Sequence, residues 1–398
     1  MTKDSGLRRL KVCRTRPAEI VQDVETLRDH YADRARNRAM KVEDRWHRFR
    51  LDLARRRGQH VTVLSLTGYG TPRWIRVFSR VVMAPDEHFE NGRRVAKVIA
   101  DGVRGWRNFI SAPVPFAEVT LSVGGQQFQV TADRGGIVDA VVELDDQNLL
   151  SPGWEVITLE APGAEAATAD VQVIADEALT GVICDIDDTV VVTKLPRPFL
   201  AAWNSFVLDE HARTPTPGMA VMMERLLSNW PGAAVIYVST GAWNVAQTLT
   251  RFLTRNLYPH GPLLLTDWGP TEDRWFRSGK LHKEQQLERL AQDFPQVSWV
   301  LIGDDGQHDP QIYADFARRH PQAVRAVIIR ELTYSEAVLA GGRAEDPDGE
   351  DLLQHDDDGS RSGSVQKVED RLIPWIYGPD GKDIVAKLES HGVIPRQG

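Results

Sequence analysis

The chain has 398 residues, 42% of them hydrophobic and 26% charged, which excludes a wholly disordered or fibrous protein and predicts two to three domains at ~150 residues each. A net charge of −8 argues against a basic nucleic-acid binder, no apolar run approaches the ~20 residues of a membrane span, and residues 1–10 lack a signal-peptide core. With only two cysteines, Cys13 and Cys184, a disulfide framework is excluded and a reducing cytoplasm is the expected compartment.

Residues 1–58 carry 17 Lys and Arg against 9 Asp and Glu, a local net charge of +8. From Ala18 to Arg57 there is no Pro or Gly, and Ile20, Val24, Leu27 and Tyr31 recur at helical spacing. The pattern favours a solvated helix packed on the next domain. The basic excess leaves a membrane-surface helix as the alternative, hence an expectation of peripheral membrane contact. From residue 59 to 176 the period is two. Strand-like runs occur at His60–Leu66, Trp74–Val82, Phe116–Val123, Gln126–Ala132, Gly136–Leu144, Trp154–Glu160 and Val171–Ile174. Gly124-Gly125 marks a two-residue hairpin, and some seven short strands predict a small β-sandwich. No helical pattern follows Gly68-Tyr69-Gly70, which therefore reads as a turn and not as a phosphate loop.

Residues 177–335 alternate strands with helices. The strands are Gly181–Ile186, Ala233–Ser239, Pro262–Thr266, Ser298–Gly303 and Val324–Arg330. The helices are Gly218–Ser228, Trp243–Asn256, His282–Asp293 and Pro310–Arg319. This alternation predicts an α/β domain with a doubly wound parallel sheet and a site at the carboxyl ends of its strands. Residues 336–367 include eight acids between Glu345 and Asp358 with no Lys or Arg, the composition of a flexible loop. Residues 368–398 are amphipathic enough to pack back on the body.

The densest chemical signal is Asp185-Ile186-Asp187-Asp188-Thr189, directly after the apolar run Gly181–Cys184. Carboxylates crowded at a strand end repel one another unless a cation sits there, and oxygen ligands of this kind select Mg²⁺. One of Asp185 and Asp187 can attack phosphorus while the other moves a proton. A second cluster, Gly303-Asp304-Asp305-Gly306-Gln307-His308-Asp309-Pro310, also ends an apolar strand. Asp304 is the better metal candidate there, Asp309 also suits a helix cap before Pro310, and His308 reads as an ordinary loop histidine. Ser239-Thr240-Gly241 ends a third strand with a hydroxyl and backbone N–H groups suited to an anion. Lys280-Leu281-His282-Lys283 supplies an ammonium that would offset the charge of phosphate and carboxylates.

In the order DxDxT, Ser, Lys, GDxxxxD, these elements resemble the haloacid-dehalogenase-like phosphohydrolase superfamily. The stretches Asp185–Leu195, His211–Met219, Gly261–Gly269 and Leu301–Tyr313 are similar to one branch, the actin-patch-associated phosphatidate phosphatase family. The resemblance covers most of residues 60–335 and is most specific over 181–313. It implies Asp185 as a nucleophile forming an aspartyl-phosphate and Asp187 as the acid and then the base. It implies Ser239 on the phosphoryl oxygens, with Thr189, Thr240 and Gly241 beside the substrate. Lys283 would orient the nucleophile, with Lys280 as the competing assignment. Mg²⁺ would be held by Asp185, the Asp187 carbonyl and Asp304, with Asp309 on a metal-bound water. Asp305 departs from the pattern, since relatives often carry Ser there.

Val191–Pro217 is too short an insert for a folded cap. An uncapped site suits bulky substrates such as lipid head groups or phosphoproteins. Of Phe199, Trp203, Phe206, Trp243, Trp268 and Trp275, most read as core and some as an interfacial rim. The expected function is a Mg²⁺-dependent phosphatase acting on phosphatidate or a related lipid phosphate. Alternatives are a phosphatase for a soluble phosphoester or phosphoprotein, and a catalytically silent binding module. No nucleic-acid partner is expected.

Overall fold

The computed structural model describes residues 49–84, 111–192, 214–266, 272–306, 308–334, 336, 364–368 and 371–396. Of the basic N-terminal segment, residues 49–56 are helical, and Leu51 and Ala54 pack on Met83 and Ala112. Residues 1–48 of that segment lie outside the described ones, as do most of the acidic loop, Phe199, Trp203, Phe206 and Trp268.

Eight strands build the first sheet: β1 (His60–Thr71), β2 (Trp74–Ala84), β3 (Ala112–Pro113), β4 (Glu118–Val123), β5 (Gln126–Thr131), β6 (Ile137–Glu143), β7 (Gly153–Glu160) and β8 (Ala167–Val173). Their order is β3-β2-β1-β8-β7-β4-β5, with β6 also on β2. All pairs are antiparallel except β1 with β8. The sequence predicts a sandwich of two facing sheets; the strands instead join in one continuous sheet that curls around its core. Alternation of inward and outward residues is the same in both arrangements, so it does not decide which strands share hydrogen bonds. Val119, Leu121, Val138, Ile157, Leu159 and Val171 fill that core. The hairpin at Gly124-Gly125 forms with both φ angles positive, at 55° and 76°. Gly68-Tyr69-Gly70 is not a turn but part of β1, at a register shift between Leu66 and Tyr69. The glycines are needed for close approach: a Cβ on Gly70 would lie 2.1 Å from the Trp74 carbonyl oxygen.

The second sheet comprises β9 (Thr180–Asp185), β12 (Ala234–Ala242), β13 (Leu263–Thr266), β14 (Ser298–Asp304), β15 (Val324–Arg330), β16 (Ser364–Val368) and β17 (Arg371–Gly378). A two-stranded ribbon, β10 (Val191–Val192) with β11 (Thr214–Pro215), follows β9. The order is β13-β12-β9-β14-β15-β17-β16, parallel throughout except for the antiparallel pair of β16 with β17. Every residue of β9 is buried, as expected of a strand covered on both faces. The helices are α1 (Met219–Ser228), α2 (Ala246–Arg255), α3 (Glu272–Asp293), α4 (Asp309–Arg319) and α5 (Gly381–Ser390). The molecule is thus α/β, with one curled mixed sheet and one mainly parallel sheet. Strands β16 and β17 are absent from the sequence reading, because Pro374 and the flanking charges break the alternation.

The two sheets share one core. Tyr69, Phe78 and Ile174 of the curled-sheet region belong to the same buried cluster as the strands of the parallel sheet. Phe78 packs on Trp243 at 5.2 Å, and Tyr69 on Phe294 at 5.9 Å. Arg76 of β2 pairs with Asp139 of β6 at 2.6 Å and reaches Gln286 of α3 at 3.3 Å.

Candidate active site

Strands β12, β9 and β14 lie side by side in the parallel sheet, so their carboxyl ends open onto one crevice edge. Asp185 ends β9, Ser239 lies near the end of β12, and Asp304 ends β14. Helix α3 lays Lys283 across this edge, and the first residue of α4 is Asp309. The Lys283 Nζ is 2.7 Å from Asp185 Oδ1 and 2.6 Å from Asp309 Oδ1. Thr189 Oγ1 donates to the other Asp185 oxygen at 3.2 Å. Ser239 Oγ donates to Asp187 Oδ2 at 2.9 Å, and the Gly241 N–H donates to Ser239 Oγ at 3.0 Å. The Gly306 N–H donates to Asp304 Oδ1 at 2.7 Å.

The electrostatics are those of a buried, overcharged site. Asp185, Asp304, Asp309 and Lys283 are all buried, with Asp304 and Asp309 at 0% exposure. Burial pushes the Asp185 carboxyl well above the usual carboxylate range; Lys283 opposes this, and Asp309 and Asp187 add to it. Burial likewise raises Asp304, with Asp309, Asp185 and Asp188 adding to the shift. Burial alone would lower the Lys283 ammonium, but Asp185, Asp309 and Asp304 outweigh it and hold it above its ordinary value. Carboxylate oxygens of Asp185, Asp304 and Asp309 lie within 4.8 Å of one another. With all three carboxyls ionised, three carboxylates against one ammonium leave two negative charges, and Asp304 Oδ2 is buried with no hydrogen-bond partner. A divalent cation on hard oxygen donors fits both facts.

Several candidates from the sequence fall in different places. The carboxylate of Asp187 faces Ser239 and stands apart from the three clustered acids. Between the two lysines, Lys283 reaches the carboxylates, whereas Lys280 is half-exposed and 3.8 Å from Glu284. The Thr240 methyl group faces α3, 3.0 Å from where a Cβ on Gly279 would sit, and its carbonyl accepts from Thr266 Oγ1. Asp309 does not cap α4; that position is His308, which is exposed, and the Asp309 side chain turns inward to Lys283. Asp305 Oδ1 accepts the Leu332 N–H at 2.8 Å and is not among the clustered acids. Burial raises the Cys184 thiol well above its usual value, as befits a strand residue in the core. Trp243 is also buried.

The roles of two residues already placed in predicted elements, Gly303 and Arg330, escaped the sequence reading. A Cβ on Gly303 would lie 2.5 Å from Asp309 Oδ2, so this glycine is what admits the carboxylate. Arg330 ends β15 at the same sheet edge as the acids, buried, and donates to the Asp188 carbonyl at 2.6 Å. The available signal was a cation closing the apolar run Ala326–Ile329.

Among known proteins, a family model described as the phosphatidate phosphatase APP1 catalytic domain matches residues 180–331. Over 151 residues the chain is 25% identical to phosphatidate phosphatase APP1 of Saccharomyces cerevisiae, covering 38% of this chain and 25% of that protein. An uncharacterized protein of Schizosaccharomyces pombe is 26% identical over 152 residues, with the same coverage of each chain. The matches thus span about a quarter of either relative's length. A crystal structure of Parabacteroides merdae beta-glucuronidase aligns at 12% identity and a TM-score of 0.16, over 68% of this chain and 33% of that one, too low to indicate a common fold. The matched segment carries the three clustered acids, Lys283 and Ser239, and residues 180–331 are thus similar to the phosphatidate phosphatase APP1 catalytic domain.

Proposed function

We propose that the protein is a Mg²⁺-dependent phosphatase that hydrolyses phosphatidate or a related lipid phosphate through an aspartyl-phosphate. The observation that carries this reading is the buried pair of Asp185 and Lys283 beside Asp304 and Asp309, with Asp187 held by Ser239 next to it. The strand order around β9, 3-2-1-4-5 in chain sequence, supports a doubly wound, haloacid-dehalogenase-like domain. Mg²⁺ would be held by Asp185, Asp304 and Asp309 with the backbone carbonyl of Asp187, and when bound it neutralises phosphoryl charge. Asp185 attacks phosphorus while the bond to the leaving oxygen breaks. Asp187 gives that oxygen its proton, then takes one from the water that hydrolyses the acyl phosphate, releasing inorganic phosphate. Ser239 and the N–H groups at the end of β12 bind phosphoryl oxygens, with Thr240 and Gly241 as part of that strand end. Thr189 orients the nucleophile and Lys283 offsets its charge.

The lipid substrate rests on the family match, and the reading places the enzyme in the cytoplasm at a membrane surface. No helix among the described residues is long and apolar enough to cross a membrane. The test is phosphate release from phosphatidate in mixed micelles, with and without Mg²⁺, alongside p-nitrophenyl phosphate. Mg²⁺-dependent release that Asp185→Asn lowers by about 10³-fold or more is expected. Release that survives Asp185→Asn would overturn the mechanism. Release from the small ester alone would overturn the lipid assignment and favour a soluble phosphoester.

A further inference from the structure

Arg330 belongs to neither acidic motif, yet it links them. Its residue pairs in register with Asp304 on the neighbouring strand, and it is 3% exposed. The guanidinium is forked: Nη1 donates to the backbone carbonyl of Asp188 at 2.6 Å, and Nη2 to the two Glu336 oxygens at 2.9 and 3.0 Å. Glu336 is fixed in turn by Thr333, whose N–H and hydroxyl each donate to Oε2 at 2.9 Å. Burial would raise the Glu336 carboxyl, but these bonds from Arg330 and Thr333 hold it below its ordinary value. The strand end that carries Arg330 is tied to the second acidic loop: the Asp305 N–H donates to the Arg330 carbonyl at 3.0 Å, and Leu332 donates to Asp305.

The carbonyl that Arg330 grips lies at a strained turn. Asp188 has φ of 56°, in the left-handed region that residues bearing a Cβ avoid. Such a conformation persists only where the surroundings over-determine it. The turn separates Asp187, whose carboxylate faces Ser239, from Thr189, whose hydroxyl faces Asp185. Beyond it the Val190 and Val191 N–H groups both donate to the Ile186 carbonyl, at 3.0 and 3.1 Å, closing the loop on itself. A change of the Asp188 backbone would therefore move both functional side chains at once.

We propose that Arg330, braced by Glu336, is a positioning residue that holds the left-handed turn at Asp188 and so sets Asp187 and Thr189 for the reaction. The proposal rests on the phosphatase reading for its catalytic consequence and on the backbone alone for its structural one. A rigid two-armed guanidinium suits the task, because one arm meets the carbonyl while the other meets Glu336; a lysine ammonium has no such fork.

The experiment uses the full chain with Arg330→Lys, and with Arg330→Gln as a neutral second variant. Turnover of p-nitrophenyl phosphate is expected to fall by about 30-fold with KM changed by less than about threefold, the pattern of lost positioning. Amide hydrogen exchange at Val190 and Val191 is expected to quicken by about tenfold or more while the β12 amides stay protected. In an Asp188→Gly background, where the turn needs no brace, the Arg330→Lys penalty is expected to shrink to about threefold or less. Unchanged exchange at Val190 and Val191 in both variants, or an equal penalty in both backgrounds, would overturn the proposal. The exchange measurement needs no turnover, so a wild-type protein inactive on every phosphoester would remove the phosphatase reading while exchange still decides the role of Arg330.

Discussion

At the scale of single residues, Gly303 and Asp309 form one unit. Any side chain at Gly303 would enter the space of the Asp309 carboxylate, with approaches of 2.5 Å to Oδ2 and 2.8 Å to Cβ. Gly303→Ala should displace that carboxylate from Lys283 and lower turnover by about 100-fold with an unchanged circular dichroism spectrum. Wild-type turnover in this variant would show that Asp309 is dispensable. Asp185 and Asp304 bear on stability as well. Their folded-state pKa values lie above those of the unfolded chain, so without metal the folded state binds the extra protons. Their contribution is therefore greatest at acid pH and is lost as pH rises above about 4, the unfolded carboxylate value. Thermal melts should show the gain on adding Mg²⁺ increasing from pH of about 5 to about 8, and Asp304→Asn should flatten the metal-free slope. A gain independent of pH would argue that the acids do not hold the ion. The gathering of acids at this sheet edge was legible in the sequence. Asp185, Asp187 and Asp304 announce themselves because acids at the ends of apolar strands have few structural uses. Arg330 and Gly303 do not, because their roles depend on a partner distant in sequence or on the space a neighbour needs.

At the scale of elements, β9 is packed so closely that its neighbours dictate its residues. A Cβ on Gly181 would meet Trp299 Cζ3 at 2.4 Å, since the fully buried indole of β14 lies against it. Gly181→Ala should cost about 1–3 kcal/mol, read from chemical denaturation, by forcing the ring aside. Leu290→Ala on α3, at a side chain with 0% exposure, should cost about 2–5 kcal/mol. If either variant is as stable as the wild type, the packing described for that element is wrong. Five strands of the parallel sheet, β9 and β12 to β15, could be read from their apolar runs, and four of its helices from their spacing. The helix bearing Lys283 begins ten residues before the predicted His282, at Glu272, since its first turns set Trp275 and Phe276 side by side among charged residues and include Gly279, and so carry no periodic signal. The curled sheet shows the limit of such reading, for period two identifies strands without naming their partners.

At the scale of the molecule, the shared core implies that the two sheets unfold together. Tyr69, Phe78, Trp243 and Phe294 form a continuous aromatic contact across them, and the tilted Trp154 and His260 rings add a second one at 4.5 Å. Calorimetry should record one transition with equal calorimetric and van't Hoff enthalpies. Two separated transitions would show that the sheets are independent. Arg76→Met should lower stability by about 1–3 kcal/mol, discounted for the half-exposed Asp139 that it leaves behind. The placement of β17 bears on how the protein is made. Its residues follow β15 by some 40 positions, yet it pairs directly with that strand. On the ribosome, every acid of the site, Lys283 and Arg330 emerge before the strand that covers the edge of β15. Until residues 371–378 are added, the nascent catalytic sheet carries a parallel edge with open hydrogen-bonding groups, a surface that invites chaperones or other nascent chains. A stop codon between β15 and β17 would spare the whole catalytic constellation and still yield a protein that aggregates.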